Sequence, residues 1–477
     1  MKQLTVIAPS AQYIGLQGEK AAYFLGIPYA KAPLGELRFR PPQLLDLATH
    51  TIIDATRQGK SPPQRVWERP SWAAKGPVLE LDEDCLNLNV FTPEVDAKSR
   101  PVIVHVFGGG FEGGSANGGY LDGEAFVAMH DVVLVRVNFR VGALGFLDLR
   151  SAMMDETLTA NAGLLDLIAA LKWVQTNINA FGGNPEKVTL VGLSSGAFMI
   201  ASLFGVPASK GLFQRAWLMS GSASRIIAQE TANAMAEKFL LEAGIKPGDK
   251  QALAECPIET LLKAQTSVIA THLGVRNAPG GWTLGIVADG QVLEKHPLVA
   301  LKAAERTDIN LVLGWTRDEA RMWYSFGIMP APQDRENLLK TVRLFHTDGA
   351  QVLEEHESRY PEASLAELEE RFLSETIYKK PALATAQAQH DAGGMSWVYE
   401  FAWEPRIEEG RLGASHGFDE AFVFGQVNPE RVPYTQGSPE ALPLADKMSL
   451  ALISFVREGD PDWELFKGSL EYIQVFD

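Results

Sequence analysis

Cysteine is almost absent, with Cys85 and Cys256 the only two in 477 residues. Two thiols cannot make a disulfide framework, so small secreted scaffolds are excluded and a reduced, cytoplasmic setting is expected. Long apolar runs are missing as well. No stretch approaches the roughly 18 consecutive apolar residues of a membrane span, and the run Leu4 to Ala8 is too short for the core of a secretion signal. Basic residues are in deficit: 43 Lys+Arg against 59 Asp+Glu leave a formal net charge of -16. Nucleic acid and anionic membrane surfaces would repel such a body, so neither is an expected partner. Internal repeats and low-complexity linkers are also lacking, so a single elaborated domain over residues 1–477 is expected in spite of the length. The hydrophobic share, 46%, is enough for a large core.

The apolar residues are grouped in a way that specifies an α/β protein. Residues 1–42, with Phe24 to Ala30 and a proline-rich turn, are expected to be short strands and turns. Val102 to Phe107 is a β-branched run that ends in Gly108-Gly109-Gly110, which predicts a buried strand entering a glycine loop. Val132 to Val137 and Val188 to Val191 predict two more such strands. Between them Leu164, Leu165, Leu167, Ile168, Leu171 and Val174 recur at helical spacing, so a helix is expected over Asn161 to Ile178. Strand, helix, strand implies a parallel sheet with crossover connections. Further strands are expected at Ala216 to Met219, Asn310 to Gly314 and Ser396 to Phe401, and a helix at Ala197 to Phe204. The segments of about 231–302 and 334–389 read as helical insertions that cap a site.

Chemistry enters at Gly192-Leu193-Ser194-Ser195-Gly196. With 43 glycines in the chain, a G-x-S-x-G pattern can arise by chance, and the alternative is an ordinary serine N-cap. Its setting carries the argument: the serine follows directly on a predicted strand and precedes a helix, where a sharp elbow exposes the hydroxyl as a nucleophile. A serine hydroxyl then needs a base and an acid that orients the base, in the chain order serine, acid, histidine. Of the histidines after Ser194, His272, His346, His356 and His390 fall in or beside the helical insertions, where solvated positions are expected. His416 lies in the turn Gly413 to Gly417, from which a side chain can reach the elbow. Asp318 and Glu319 follow the predicted strand at Leu311, and by position either can be the acid. Gly108 to Phe111 suits an oxyanion hole, because glycine lets backbone N–H groups approach a substrate.

Together these residues resemble the type-B carboxylesterase family, which includes bacterial para-nitrobenzyl esterases. The likeness runs through Phe24 to Ala30, Leu37 to Phe39, Glu83 to Val90, Asn138 to Gly142, Phe181 to Pro185, Ser220 to Ser222, Asp318-Glu319 and His416 to Gly425. It implies an α/β-hydrolase fold, a mostly parallel sheet flanked by helices, and a carboxylic ester hydrolase working through an acyl-enzyme. Carried over by position, it implies Ser194, Glu319 and His416 as the triad, with the N–H groups of Gly109, Gly110 and Ser195 as oxyanion donors. Ser222 matches a serine that supports the acid, and Arg38 with Glu83 and Arg140 with Asp166 match structural ion pairs. No metal or cofactor is called for. A small-molecule ester is the expected partner of a monomer or small homo-oligomer.

The chain departs from the family pattern in four places. Phe107 stands where many members have histidine. Leu193 replaces the usual elbow glutamate and removes a charge that would attract cationic esters. Ser195 replaces alanine but keeps its N–H. The usual disulfide partner of Cys85 is missing, with Ser61 to Gln64 in that region. A triad of this kind could also serve amides, carbamates or lactones. A non-catalytic binding protein of the same fold is the alternative from another class, although such proteins have usually lost a triad member. Trp282, Trp315, Trp323, Tyr324 and Phe326 fall where they would either line a pocket or pack in the core.

Overall fold

A computed structural model describes residues 2–66, 68, 70–272 and 276–477. In chain order its strands are β1 (Lys2–Ile7), β2 (Gln12–Gln17), β3 (Ala22–Pro28), β4 (Ile52–Asp54), β5 (Asn87–Thr92), β6 (Arg100–Val106), β7 (Val133–Val137), β8 (Gly183–Leu193), β9 (Arg215–Met219), β10 (Ile226–Ile227), β11 (Ile286–Val287), β12 (Asn310–Thr316), β13 (Ser396–Phe401) and β14 (Ile473–Phe476). The main sheet runs β1-β2-β3-β5-β7-β6-β8-β9-β12-β13-β14, with β4 beside β2, and β10 pairs with β11 in a separate small sheet. The β-rich entrance expected of residues 1–42 is the antiparallel run β1-β2-β3, which β5 continues and which β4 joins in parallel beside β2. From β7 through β6, β8, β9, β12 and β13 to β14 every neighbour is parallel. The sheet is therefore mostly parallel where the chemistry lies, and helices cover both of its faces.

Burial along the strands explains the order. All five residues of β7 are buried, whereas β1 buries only Val6. Uninterrupted β-branched runs are buried on both faces and take the centre, and an alternating, polar strand takes the edge. Successive residues then feed opposite cores: Val104 and Val106 pack on one side with Leu190, and Ile103 on the other with Val191. The crossover helix expected at Asn161 to Ile178 spans Ala162–Asn177 and buries Leu164, Leu167, Ile168, Leu171 and Val174 of the residues that set its spacing, with Leu165 only partly buried.

The insertions agree only in part with the helical expectation. The second contains the helices Arg335–Arg343, Gly349–Arg359, Leu365–Ser374 and Lys380–Asp391. The first contains Gln229–Ala243, Lys250–Glu255 and Ile258–Ala270, but residues 276–296 are irregular apart from β11. Pro279-Gly280-Gly281 disfavours helix, and the β-branched pair Ile286-Val287 finds a strand partner in β10. His356 also differs from the solvated position expected of it. It is buried, and its Nε2 lies 3.1 Å from Leu368 O.

Both expected ion pairs form. Arg38 meets Glu83 through Nε at 2.6 Å and Nη2 at 2.5 Å, and fully buried Arg140 meets Asp166 at 2.8 and 2.7 Å. Cys85 and Cys256 are free and buried. No helix among the described residues is long and apolar enough to cross a membrane.

Candidate active site

The candidate residues all emerge from the carboxyl ends of parallel strands, where open α/β sheets place their sites. The glycine loop follows β6, Ser194 follows β8, Ser220 to Ser222 follow β9, Glu319 follows β12 and His416 lies beyond β13.

Ser194 sits between β8 and the helix Ser195–Ser202 with φ 55° and ψ -122°, a conformation costly for any residue with a side chain. Surrounding structure holds it there. Its N–H donates to Met219 O at 2.8 Å, and its carbonyl accepts from Phe198 N at 2.9 Å. Close packing explains the flanking glycines: a Cβ on Gly196 would stand 2.2 Å from Val106 O, and one on Gly192 would stand 2.6 Å from Ile200 Cδ1. Ser194 Oγ makes no hydrogen bond among the described residues.

Asp318 and Glu319, between which spacing leaves the acid open, differ in their hydrogen bonds. Asp318 Oδ2 accepts from Ala414 N at 2.9 Å and from Arg317 Nη2 at 2.8 Å, and Asp318 N donates to Ala414 O at 3.0 Å. Its work is to clamp the turn after β12 to the histidine loop. Glu319, completely buried, instead accepts from Thr316 N at 2.9 Å through Oε1 and bonds His416 Nδ1 through Oε2. The second ring nitrogen of His416 has no protein partner among the described residues. Tyr378, from the second insertion, packs its ring 5.1 Å from that of His416. Burial, chiefly, and the nearby Glu319 push the Tyr378 hydroxyl well above its ordinary pKa, so it stays neutral.

The buried hydroxyl of Ser222 lies 3.0 Å from Ser224 Oγ, while the Glu319 carboxylate meets Thr316 N and His416 Nδ1.

In the glycine loop Gly109 has φ 141° and Gly110 φ 65°. Gly109 O accepts from Glu112 N at 3.0 Å and Gly113 N at 3.1 Å, which curls the loop, and a Cβ on Gly109 would be 2.2 Å from Gly113 O. The N–H groups of Gly109, Gly110 and Ser195 have no partner among the described residues. A fixed, unpaired set of donors can receive a developing oxyanion. Phe107 stacks on Phe139 at 4.2 Å with 7° between planes, which makes it a packing platform under the loop. Leu193 lies against the histidine turn, its Cδ2 3.2 Å from where a Cβ on Gly417 would be.

Sequence reasoning did not single out Asp419. This aspartate is fully buried three residues past His416, and its Oδ2 accepts from Tyr399 OH at 2.6 Å. Burial pushes its carboxyl up to about 7, with Tyr399 opposing and the charge of Glu319 adding to the rise. Of the aromatic residues with open roles, Trp315 is core, bonded through Nε1 to Glu400, and Trp323 is buried too. Tyr324 bonds Glu369, Phe326 is partly exposed against Trp72, and Trp282 stacks on His272.

Comparison with known proteins gives concordant results. Residues 11–473 match the carboxylesterase family. A para-nitrobenzyl esterase of Bacillus subtilis (strain 168) is 34% identical over 445 residues, which is 92% of this chain and 86% of that protein. Among solved structures, a carboxylesterase of Geobacillus stearothermophilus superposes with a TM-score of 0.83 at 34% identity, covering 96% of this chain and 91% of that one. A PNB esterase structure superposes with a TM-score of 0.87 at 30% identity, covering 100% and 96%.

Proposed function

The chain belongs to the carboxylesterase family and is a carboxylic ester hydrolase of the α/β-hydrolase fold, and on that premise we propose that Ser194, Glu319 and His416 are its catalytic triad. The bond from Glu319 to His416 Nδ1, on loops that flank a strained elbow serine, is the observation that carries the assignment. Glu319 fixes the histidine tautomer so that Nε2 faces the reaction as a base, and it stabilises the imidazolium that forms.

The cycle has two halves. Ser194 Oγ attacks the ester carbonyl while its proton passes to His416 Nε2, and the tetrahedral oxyanion is received by the N–H groups of Gly109, Gly110 and Ser195. The carbon–oxygen bond to the alcohol then breaks, and the alcohol leaves with the proton from His416. Water next attacks the acyl-enzyme, gives its proton to His416, and the carboxylic acid departs as the serine recovers that proton. The hydrogen bond between Ser194 Oγ and Nε2 is one that the substrate complex completes, as is common for catalytic hydrogen bonds. A reduced, cytoplasmic setting belongs to the same proposal and is supported by the two free cysteines.

The test is hydrolysis of para-nitrophenyl acetate, together with covalent labelling by an organophosphonate. Wild-type protein should turn over the ester and take the label on Ser194, and Ser194→Ala should do neither. Equal rates in the two proteins would refute the assignment.

A further inference from the structure

One cation beside this site has no anionic partner among the described residues. Arg225 follows the β9 loop with φ 56°, and its guanidinium carbon lies 5.2 Å from the ring centre of Phe198 and 5.9 Å from that of Phe111. Both rings border the chemistry. Phe198 is one turn beyond Ser194 in the nucleophile helix, and Phe111 directly follows Gly109-Gly110. Tyr378, whose ring packs beside His416, is 6.3 Å from the Phe198 ring.

The guanidinium makes one hydrogen bond, from Nη2 to Thr283 Oγ1 at 3.2 Å. No carboxylate among the described residues pairs with it. Glu112, the acid whose charge acts on Arg225, is taken by Arg276 at 2.5 Å. Arg38, Arg140 and Arg150 each meet a carboxylate directly, whereas buried Arg136 and Arg306 bond backbone carbonyls instead, Arg136 to Gly118 O and Arg306 to Leu203 O. Arg225 as a residue is half-buried. Burial without a counter-charge disfavours the cation, as its lowered pKa reflects. An arriving anion would relieve that cost. In a chain of net charge -16, which repels anions from a distance, a cation at this position needs a local reason.

We propose that Arg225 binds a carboxylate carried by the substrate, so that the preferred esters hold a second, ionised carboxyl group. The planar guanidinium offers two parallel N–H donors to such a group, and the flanking rings hold it flat. The shared chemistry is an anionic ester, with the carboxylate on either the acyl or the alcohol portion. Hydrolysis itself is unchanged: water adds across the ester bond and gives an acid and an alcohol, one of which carries the additional carboxylate. The proposal rests on the triad assignment.

Two matched pairs test it. Para-nitrophenyl hydrogen adipate against para-nitrophenyl heptanoate puts the charge on the acyl side, and 4-acetoxybenzoate against its methyl ester puts it on the alcohol side. The reading is the anionic-to-neutral ratio of kcat/KM, with spontaneous hydrolysis subtracted. Arg225→Met should lower that ratio at least fivefold for one pair, which also locates the carboxylate, and Arg225→Lys should lower it less. Arg225→Gln, with its thermal unfolding checked, replaces the methionine variant if that one does not fold. A fall of less than fivefold in both pairs overturns the proposal and leaves Arg225 as a packing residue. Neutral-ester hydrolysis that survives in Ser194→Ala would instead overturn the triad assignment.

Discussion

Glu319 holds His416 by the ring nitrogen that faces away from the reaction, and its other carboxylate oxygen is occupied by Thr316 N at 2.9 Å. The acid is thus fixed at both ends, and no other side chain is recorded on it. Glu319→Gln keeps the shape and can still accept from Thr316, but it offers the histidine an amide in place of a carboxylate. The expected loss in kcat is about 10³- to 10⁴-fold, with KM changed far less, as for removal of the orienting acid in other triads. Steady-state kinetics with para-nitrophenyl acetate decide it, and a loss under tenfold would show that Glu319 is not the orienting acid.

Asp318, its neighbour, provides the contrast. Its carboxylate is committed to Ala414 N and Arg317. Asp318→Asn should therefore lower thermal stability, because the clamp between the acid turn and the histidine loop loses its charge, while the pattern of catalytic loss stays milder than in Glu319→Gln. Parallel unfolding midpoints and kcat values for the two variants check this ordering.

Gly109 is predicted to be intolerant of any side chain. Its φ of 141° lies outside what L residues adopt readily, and a Cβ would be 2.2 Å from Gly113 O. Gly109→Ala must therefore shift the loop and its N–H groups. One misplaced oxyanion donor costs about 10²- to 10³-fold in kcat. The organophosphonate labelling rate should fall with kcat, whereas the unfolding midpoint, set by cores elsewhere, should move little. Unchanged kcat would remove Gly109 from the oxyanion role.

The parts of this site legible in the sequence are those encoded by local chain chemistry. Ser194 could be read because a buried strand, two glycines and a helix adjoin it, and the strands around it because β-branched runs end abruptly. Asp318 and Glu319 were not separable by spacing, since adjacent residues on one turn differ only in which amide or ring they meet. The partner of Ser222 was out of reach for a related reason: a hydroxyl's partner is chosen by geometry within an ångström, and Ser224 Oγ lies 3.0 Å from it. Tyr378, Thr283 and Arg225 come from insertions or loops with no motif, and their place beside the triad follows from tertiary packing alone. Asp419 was hidden within a recognised segment because sequence does not display burial.

Away from the site, the Arg140–Asp166 pair is expected to matter for folding. Arg140 directs its backbone N–H, Nε and Nη2 at the Asp166 carboxylate, and both residues are almost wholly buried. Asp166→Asn would leave the guanidinium buried without its counter-charge, a change that typically costs about 3–5 kcal/mol. Urea unfolding should show a midpoint lowered accordingly. A midpoint within error of wild type would mean that water or a neighbouring group replaces the carboxylate.

Asp419 makes stability depend on pH in a direction opposite to that of a salt-bridged aspartate. Burial raises its carboxyl to about 7, against an ordinary value of 3.8. The folded protein therefore binds this proton more tightly than the unfolded chain does. The resulting stabilisation is complete below about pH 4 and is lost as pH rises through about 7, a contribution on the order of 4 kcal/mol. Asp419→Asn keeps an oxygen for Tyr399 OH, 2.6 Å away in the wild type, but has no proton to lose. Relative to wild type, the variant should gain stability from pH 5 to about pH 7 and level off above that. Unfolding midpoints measured for both proteins across that range test the prediction, and a difference that does not vary with pH would show that Asp419 is ionised in the folded protein. Because Glu319 and His416 both act on this carboxyl, its protonation below about pH 7 also spares Glu319 and His416 a second buried negative charge.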